Sequence, residues 1–204
     1  EVRRSLEGDA SLSGKISLER APLISKDDLR IVHDGSYVER VFSGKLTDKE
    51  VRAIGFPWTK ESVTRYAASA GGTLAALHTV FQDNACMISA HIAGGTHHSF
   101  HDRGEGFCVF NDIAIAAVKA QQEYAQAALP ILVIDLDVHQ GNGTADIFSD
   151  DSSVFTFSIQ GANNYPWRTR RASDLDIDLR DGTTDEEYLE ALSRELPGLF
   201  DRVR

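Results

Sequence analysis

The chain has 204 residues, 31 acidic against 21 basic side chains for a formal charge of −10, and 42% hydrophobic with 8% aromatic content. At about 150 residues per domain this predicts one domain, able to bury on the order of 70% of its unfolded surface, which excludes a disordered or collagenous chain. Neither direct nucleic-acid binding nor a membrane span is expected: no basic stripe exists to release counterions, and the longest apolar run, Ala127 to Ile134, falls far short of ~20 residues. Along the chain, residues 1–58 are the least regular. Ser11 to Ser17 is small and polar, Ala21-Pro22 reads as a turn, and Leu29-Arg30-Ile31-Val32 fits either a short strand or the start of a helix. From Thr59 the pattern sharpens, with Val63, Tyr66, Ala67, Ala70, Leu74, Leu77 and Phe81 at the three- and four-residue steps of an amphipathic helix. Gly71-Gly72 inside it costs about 1 kcal/mol per glycine, which points to close packing against a neighbour.

A glycine- and histidine-rich loop, Ala93 to Phe107, follows, and Asn111 and Asp112 can cap a helix running to about Ala128. Ile131 to Ile134 has the continuous apolar character of a strand buried on both faces of a parallel sheet. Thr144 to Phe148 can form a short helix, and Val154 to Ile159 reads as a second strand. Asp174, Asp176, Asp178 and Asp181 alternate with apolar residues and read as a solvated strand face. Thr184-Asp185-Glu186-Glu187 has the form of a capping box, and Leu189, Leu192, Leu196 and Leu199 mark a helix stripe behind it. Alternating helices and buried strands predict an α/β domain with a mainly parallel sheet. The only two cysteines, Cys86 and Cys108, cannot build a disulfide framework and suggest a reducing, cytoplasmic compartment. The single methionine is Met87 and the chain opens at Glu1, so a processed product or a piece of a larger domain is expected.

Chemistry concentrates in three stretches. In Ile134-Asp135-Leu136-Asp137-Val138-His139-Gln140-Gly141-Asn142-Gly143, strand alternation projects Asp135, Asp137 and His139 to one side, at the carboxyl strand end where open α/β sheets bind ligands. Two carboxylates and an imidazole suit Zn²⁺ or a similar ion; a solvated strand end is the plain alternative. Gly94-Gly95-Thr96-His97-His98-Ser99 pairs two imidazoles able to trade protons near neutral pH with glycines that let a backbone approach a ligand; the alternative is a surface loop with incidental histidines. Gly104 to Asp112 by itself is a glycine turn entering a helix. His33, His78, His91 and His101 have no partner spacing and read as structural.

In order and spacing these stretches resemble the histone deacetylase family, from about Ile31 to the end of the chain, and Gln140, Asn142, Tyr165-Pro166 and Thr184 to Leu189 are closest to its class IV branch and bacterial relatives. The resemblance implies a three-layer α/β/α arginase/deacetylase fold with one catalytic zinc, truncated here. It implies Asp137 and His139 as zinc ligands, His97 and His98 as the tandem histidines, Asp135 as the partner of His97, and Asn142 where some members carry an Asp beside His98. Gly106 would line an acyl-lysine tunnel with Phe107 and Tyr165 as aromatic walls. A K⁺ or Na⁺ site would use Asp135 and the backbone around Asp137, His139, Ser158 and Ile159. The family's third zinc carboxylate and its transition-state tyrosine would fall beyond Arg204, and an opening strand before Glu1. This chain alone is therefore expected to be inactive or nearly so, as one partial domain over residues 1–204. Three activities stay open: a zinc-dependent deacylase of lysine side chains on proteins or peptides, an amidohydrolase of small acetylated amines such as polyamines, and a non-catalytic acyl-lysine binding module. Oligomeric state is not legible.

Overall fold

The computed structural model describes residues 2–82, 88–124 and 130–203. Three parallel strands, β1 (Ile131–Asp135), β2 (Val154–Gly161) and β3 (Leu175–Leu179), form a sheet in the order β1-β2-β3, with Asp135 opposite Ser158 at one end of the β1–β2 register. Helices cover both faces. Val133 and Val154 pack into a core with α2 (Lys26–Arg30), α3 (Gly35–Ser43), α4 (Asp48–Ile54), α5 (Lys60–Gln82) and α6 (Asp112–Tyr124), while Phe157 and Ile159 pack against Ala191 and Leu199 of α8 (Asp185–Arg202). A short α7 (Asn142–Ile147) follows β1, and α1 (Val2–Gly8) with a 3₁₀ turn at Ala10–Leu12 precedes α2. The α/β class, the parallel sheet and the layer of helices on each side are as read from the sequence. No helix among the described residues is long and apolar enough to cross a membrane.

Several expectations need correction. β1 is not buried on both faces: only Val133 is buried outright, because β1 is an edge of the described sheet and β2 holds the centre. The segment before residue 58 carries short helices between stretches without regular structure, such as residues 16–25. Leu29 lies in α2, near its end, and no strand forms there. α3 starts at the Asp34 cap, whose carboxylate accepts from the Tyr37 amide (2.9 Å), and α4 starts at a capping box of Thr47 and Glu50. Helices of five to nine residues have too few turns for a stripe to stand out, so their caps are the only signal. In α8 the buried stripe is Tyr188, Ala191, Leu192, Leu196 and Leu199, whereas Leu189 is 58% exposed. The aspartates in and just before β3 are bonded rather than simply solvated: Asp176 accepts from the Gln140 and Gln160 side-chain amides (2.9 and 3.2 Å) and Asp174 from the Thr156 amide (2.7 Å). Cys86, Met87 and the predicted end of α6 near Ala128 lie outside the described residues; Cys108 is buried and free.

The expected close packing at Gly71-Gly72 is present. A Cβ at Gly71 would overlap the Pro22 carbonyl oxygen and lie 2.8 Å from the Ile24 nitrogen, both backbone atoms that cannot swing aside. Gly198 in α8 has nothing within 4 Å. The same substitution should therefore have opposite signs. Gly198→Ala gains about 0.5–1 kcal/mol of helix propensity, while Gly71→Ala loses a net 1–3 kcal/mol or so to overpacking. Urea unfolding of the two variants checks this; stabilisation by Gly71→Ala would show that Pro22 is not seated on α5.

Candidate active site

β1 ends at Asp135, so the pleat cannot carry alternation on to Asp137 and His139. The loop beyond is shaped by its own carboxylates. Asp135 Oδ1 accepts from the Asp137 amide (3.0 Å) and Asp137 Oδ1 from the His139 amide (2.8 Å). The result is still convergent: His139 Nδ1 lies 2.9 Å from Asp137 Oδ1. Turn hydrogen bonds, rather than strand geometry, bring Asp137 and His139 together.

The histidine loop meets this one backbone to backbone. A Cβ at Gly143 would come within 2.6 Å of the His98 carbonyl carbon and 2.7 Å of the His97 carbonyl oxygen, and the Thr144 amide donates to that same oxygen (3.1 Å). His97 Nδ1 reaches Asp135 Oδ2 at 2.5 Å, and His98 Nδ1 reaches Asn142 Oδ1 at 2.8 Å. The two imidazole centroids are 4.0 Å apart, His98 and His139 are 5.9 Å apart, and the Tyr165 ring stands edge-on to both at 4.8 and 6.0 Å. Gly106 lies against His98 and Tyr165. Ser158 and Ile159 are buried on β2 beside Asp135. Phe107 stands apart from this group: its ring packs on Phe56 (5.0 Å), is 63% exposed and lines a cavity of about 380 Å³ with Tyr66, Thr96 and Val109, while the ring neighbours of Tyr165 are His98, His139 and Trp167.

Three buried polar groups that sequence reasoning passes over hold the site. The Asp112 carboxylate, expected only to cap α6, accepts from the Gly95 amide (3.1 Å), the Thr96 amide (2.8 Å) and the Thr96 and Thr73 hydroxyls (both 2.5 Å). It anchors the histidine loop, and the helix cap falls to Asn111, which accepts from the Ala114 amide at 2.9 Å. Glu105 accepts from Asn142, Tyr165 and Thr169 (2.9, 3.1 and 2.6 Å). Gln140 grips Arg171, donating to its carbonyl (2.6 Å) and accepting from its amide (3.1 Å). A lone acidic residue between Gly104 and Gly106 is the one visible signal for Glu105, since an isolated charge in a glycine turn entering a helix requires a partner once buried.

The electrostatics divide the histidine pair. Burial, with the His97 charge second, depresses the His98 pKa to about 4; the Asn142 hydrogen bond acts in the opposite sense. Burial, not the Asn142 hydrogen bond, is what keeps this imidazole neutral. For His97 burial also opposes the charge, yet the hydrogen bond and charge of Asp135 outweigh it and raise the pKa. The remaining histidines are structural. His33 Nδ1 faces the Phe100 carbonyl (2.9 Å) while its Nε2 accepts from the Asn111 amide (2.9 Å); His91 meets the Thr73 hydroxyl (3.0 Å), His101 the Val32 carbonyl (2.5 Å), and His78 pairs with Glu123 (3.2 Å).

Asp137 and His139 fit a zinc ion in donor chemistry and spacing. Ligands about 2.0–2.1 Å from a tetrahedral zinc stand about 3.3 Å apart, near the 2.9 Å separating Oδ1 from Nδ1, and both side chains are reachable at 49% and 39% exposure. Among the described residues no group of three His, Cys, Asp or Glu side chains could hold a metal ion; the donor set there is a pair.

A Histone deacetylase domain family model matches residues 2–204, and the chain belongs to that family. It is 43% identical to an uncharacterized protein of Picosynechococcus over 86% of this chain and 57% of that one. It is 35% identical to the acetoin utilization protein AcuC of Bacillus subtilis over 70% and 38%, and 31% identical to histone deacetylase 2 of Arabidopsis thaliana over 96% and 51%. The chain spans about half the length of the curated relatives it matches.

Burial lowers the His33 pKa to about 4, against about 6.5 when unfolded. Between those values the unfolded chain binds more protons, so stability is full above pH 6.5 and falls as pH drops toward 4. From His33 alone the loss between pH 7.5 and 5 should be about 2 kcal/mol. Urea unfolding at both pH values should show this increment in the wild type and not in His33→Gln; equal pH slopes would mean His33 is not buried neutral.

Proposed function

We propose that the protein is a zinc-dependent hydrolase that removes acetyl or longer acyl groups from lysine side chains of proteins. The observation that carries this reading is the His98 ring, neutral near physiological pH, its Nδ1 engaged by Asn142 and its centre 5.9 Å from that of His139. The Asp137 carboxylate and His139 Nδ1 would hold the zinc. Bound there, zinc supplies Lewis acidity toward an amide carbonyl and toward water.

The protein's own groups supply the proton transfers. His98 Nε2 accepts the proton of the attacking water and returns it to the departing lysine amine. His97, drawn toward its charged form by Asp135, adds its charge to the burial that keeps His98 neutral and so helps preserve the base. Gly106 and Tyr165, packed beside His98, would border the acyl-lysine stem, with Phe107 further out on the rim. A K⁺ or Na⁺ ion would sit at Asp135 with the backbone of Asp137, His139, Ser158 and Ile159, a role supported by the register that sets Asp135 beside Ser158. A buried free Cys108 suits a reducing cytoplasm.

Turnover of an acetyl-lysine peptide by the whole purified protein, rather than by residues 1–204 alone, tests the reading. His98→Ala should lose about 10²–10⁴-fold in kcat, and Asp137→Ala should lose bound zinc by elemental analysis. Turnover of an acetylated polyamine but not of the peptide would move the substrate to small amines. Acyl-lysine binding without turnover, in protein that retains no metal, would make it a recognition module.

A further inference from the structure

Asn142 has an amide where a carboxylate would have served His98 in either orientation. A carboxylate presents only acceptors, but an amide can turn either its oxygen or its NH₂ to a neighbour. Which end faces His98 decides the tautomer: an amide oxygen demands Nδ1–H and leaves Nε2 bare, whereas an NH₂ demands a bare Nδ1 and moves the proton to Nε2. Asn142 is held in the first orientation from behind. Its Nδ2 donates to Glu105 Oε1 (2.9 Å) and to the Thr169 carbonyl (2.9 Å), groups with no hydrogen to give in return. Thr169 is itself tethered by its hydroxyl to the same Glu105 oxygen (2.6 Å), so Glu105 both accepts from Asn142 and helps hold Thr169 beside it.

Glu105 is in turn fixed. It is buried, its carbonyl accepts from the Cys108 amide (2.9 Å), and the following amides of Gly106 and Phe107 donate to Ala53 and Ile54 in α4 and its end (3.1 and 2.8 Å). Tyr165 adds a third donor to Oε1 at 3.1 Å. One carboxylate oxygen thus gathers α7, the 165–169 loop and, through Asn142, the catalytic histidine.

We infer that Glu105 is a positioning residue that orients the Asn142 amide and thereby fixes His98 with its proton on Nδ1 and Nε2 bare. Its consequence for turnover rests on the reading of His98 as the proton acceptor; the tautomer itself does not. Glu105 is then needed only while residue 142 is an amide.

Long-range ¹H–¹⁵N spectra of histidine-labelled protein at neutral pH distinguish a protonated from a bare ring nitrogen. Wild type should show Nδ1–H at His98. Glu105→Ala should give mixed tautomers and at least a tenfold loss of kcat with little change in KM. Glu105→Ala/Asn142→Asp should return the single Nδ1–H form and most of the kcat, because an aspartate at 142 needs no orienting. A general packing role for Glu105 would damage both backgrounds alike. Glu105→Met, which keeps the side-chain length and has no oxygen to accept from Asn142, serves if the alanine variant unfolds, and should show the same dependence on residue 142. A His98 tautomer unchanged by either Glu105 substitution, or a loss that Asn142→Asp does not relieve, would overturn the inference. If the tautomers behave as expected but no variant, wild type included, turns over acyl-lysine, the proposed function fails and the positioning role stands.

Discussion

Gly143 sits so close to the carbonyls of the histidine loop that a methyl group there would press on His97, His98 and Ser99 at once, and the Thr144 amide donates to the His97 oxygen across the contact. Two stretches of chain some forty residues apart are thereby held at backbone distance. Every other relation in the site follows from that approach: the His97–Asp135 pair, the His98–Asn142 pair and the nearness of His139 all span these two loops. Side chains on one loop reach side chains on the other only because nothing larger than hydrogen stands between the backbones. Gly141 adds to this, since a Cβ there would overlap the Asp135 carboxylate.

Buried carboxylates do the rest of the positioning. Charge removed from water must be matched by donors, and each buried acid here collects several. Asp112 gathers the turn before the histidines, Asp135 joins His97 to the Asp137 amide, and Glu105 gathers Asn142, Tyr165 and Thr169. The effect is a rim in which loops are tied by charge-assisted bonds rather than by apolar packing. Asp137 and His139 differ from these anchors in being substantially exposed.

Adjacent imidazoles with unlike surroundings can divide labour. One is backed by a carboxylate and is drawn toward its charged form; the other is backed by an amide, more weakly compensated for burial, and stays neutral. Their 4.0 Å separation makes the charge of the first a reason for the neutrality of the second. Family membership, which rests on the whole length from residue 2 to 204, accords with that arrangement.

Long elements and contiguous motifs are legible in the amino-acid sequence. α5 and α8 run through enough turns to print a stripe or a capping box, β1 and β2 are apolar runs, and Asp135 to His139 and His97-His98 announce their chemistry by being adjacent along the chain. Short helices escape such a reading because periodicity needs length, and strand alternation cannot account for the direction of Asp137 and His139 because the pleat ends two residues too soon. The roles of Asp112, Glu105 and Gln140 belong to the fold alone. Each acts by hydrogen bonds to residues between 16 and 64 positions away, and no local pattern encodes which distant donor a side chain will meet. Sequence determined which side chains could do chemistry and which segments could be regular; tertiary structure decided which of them touch, because contact across a sheet end depends on how tightly two backbones can approach.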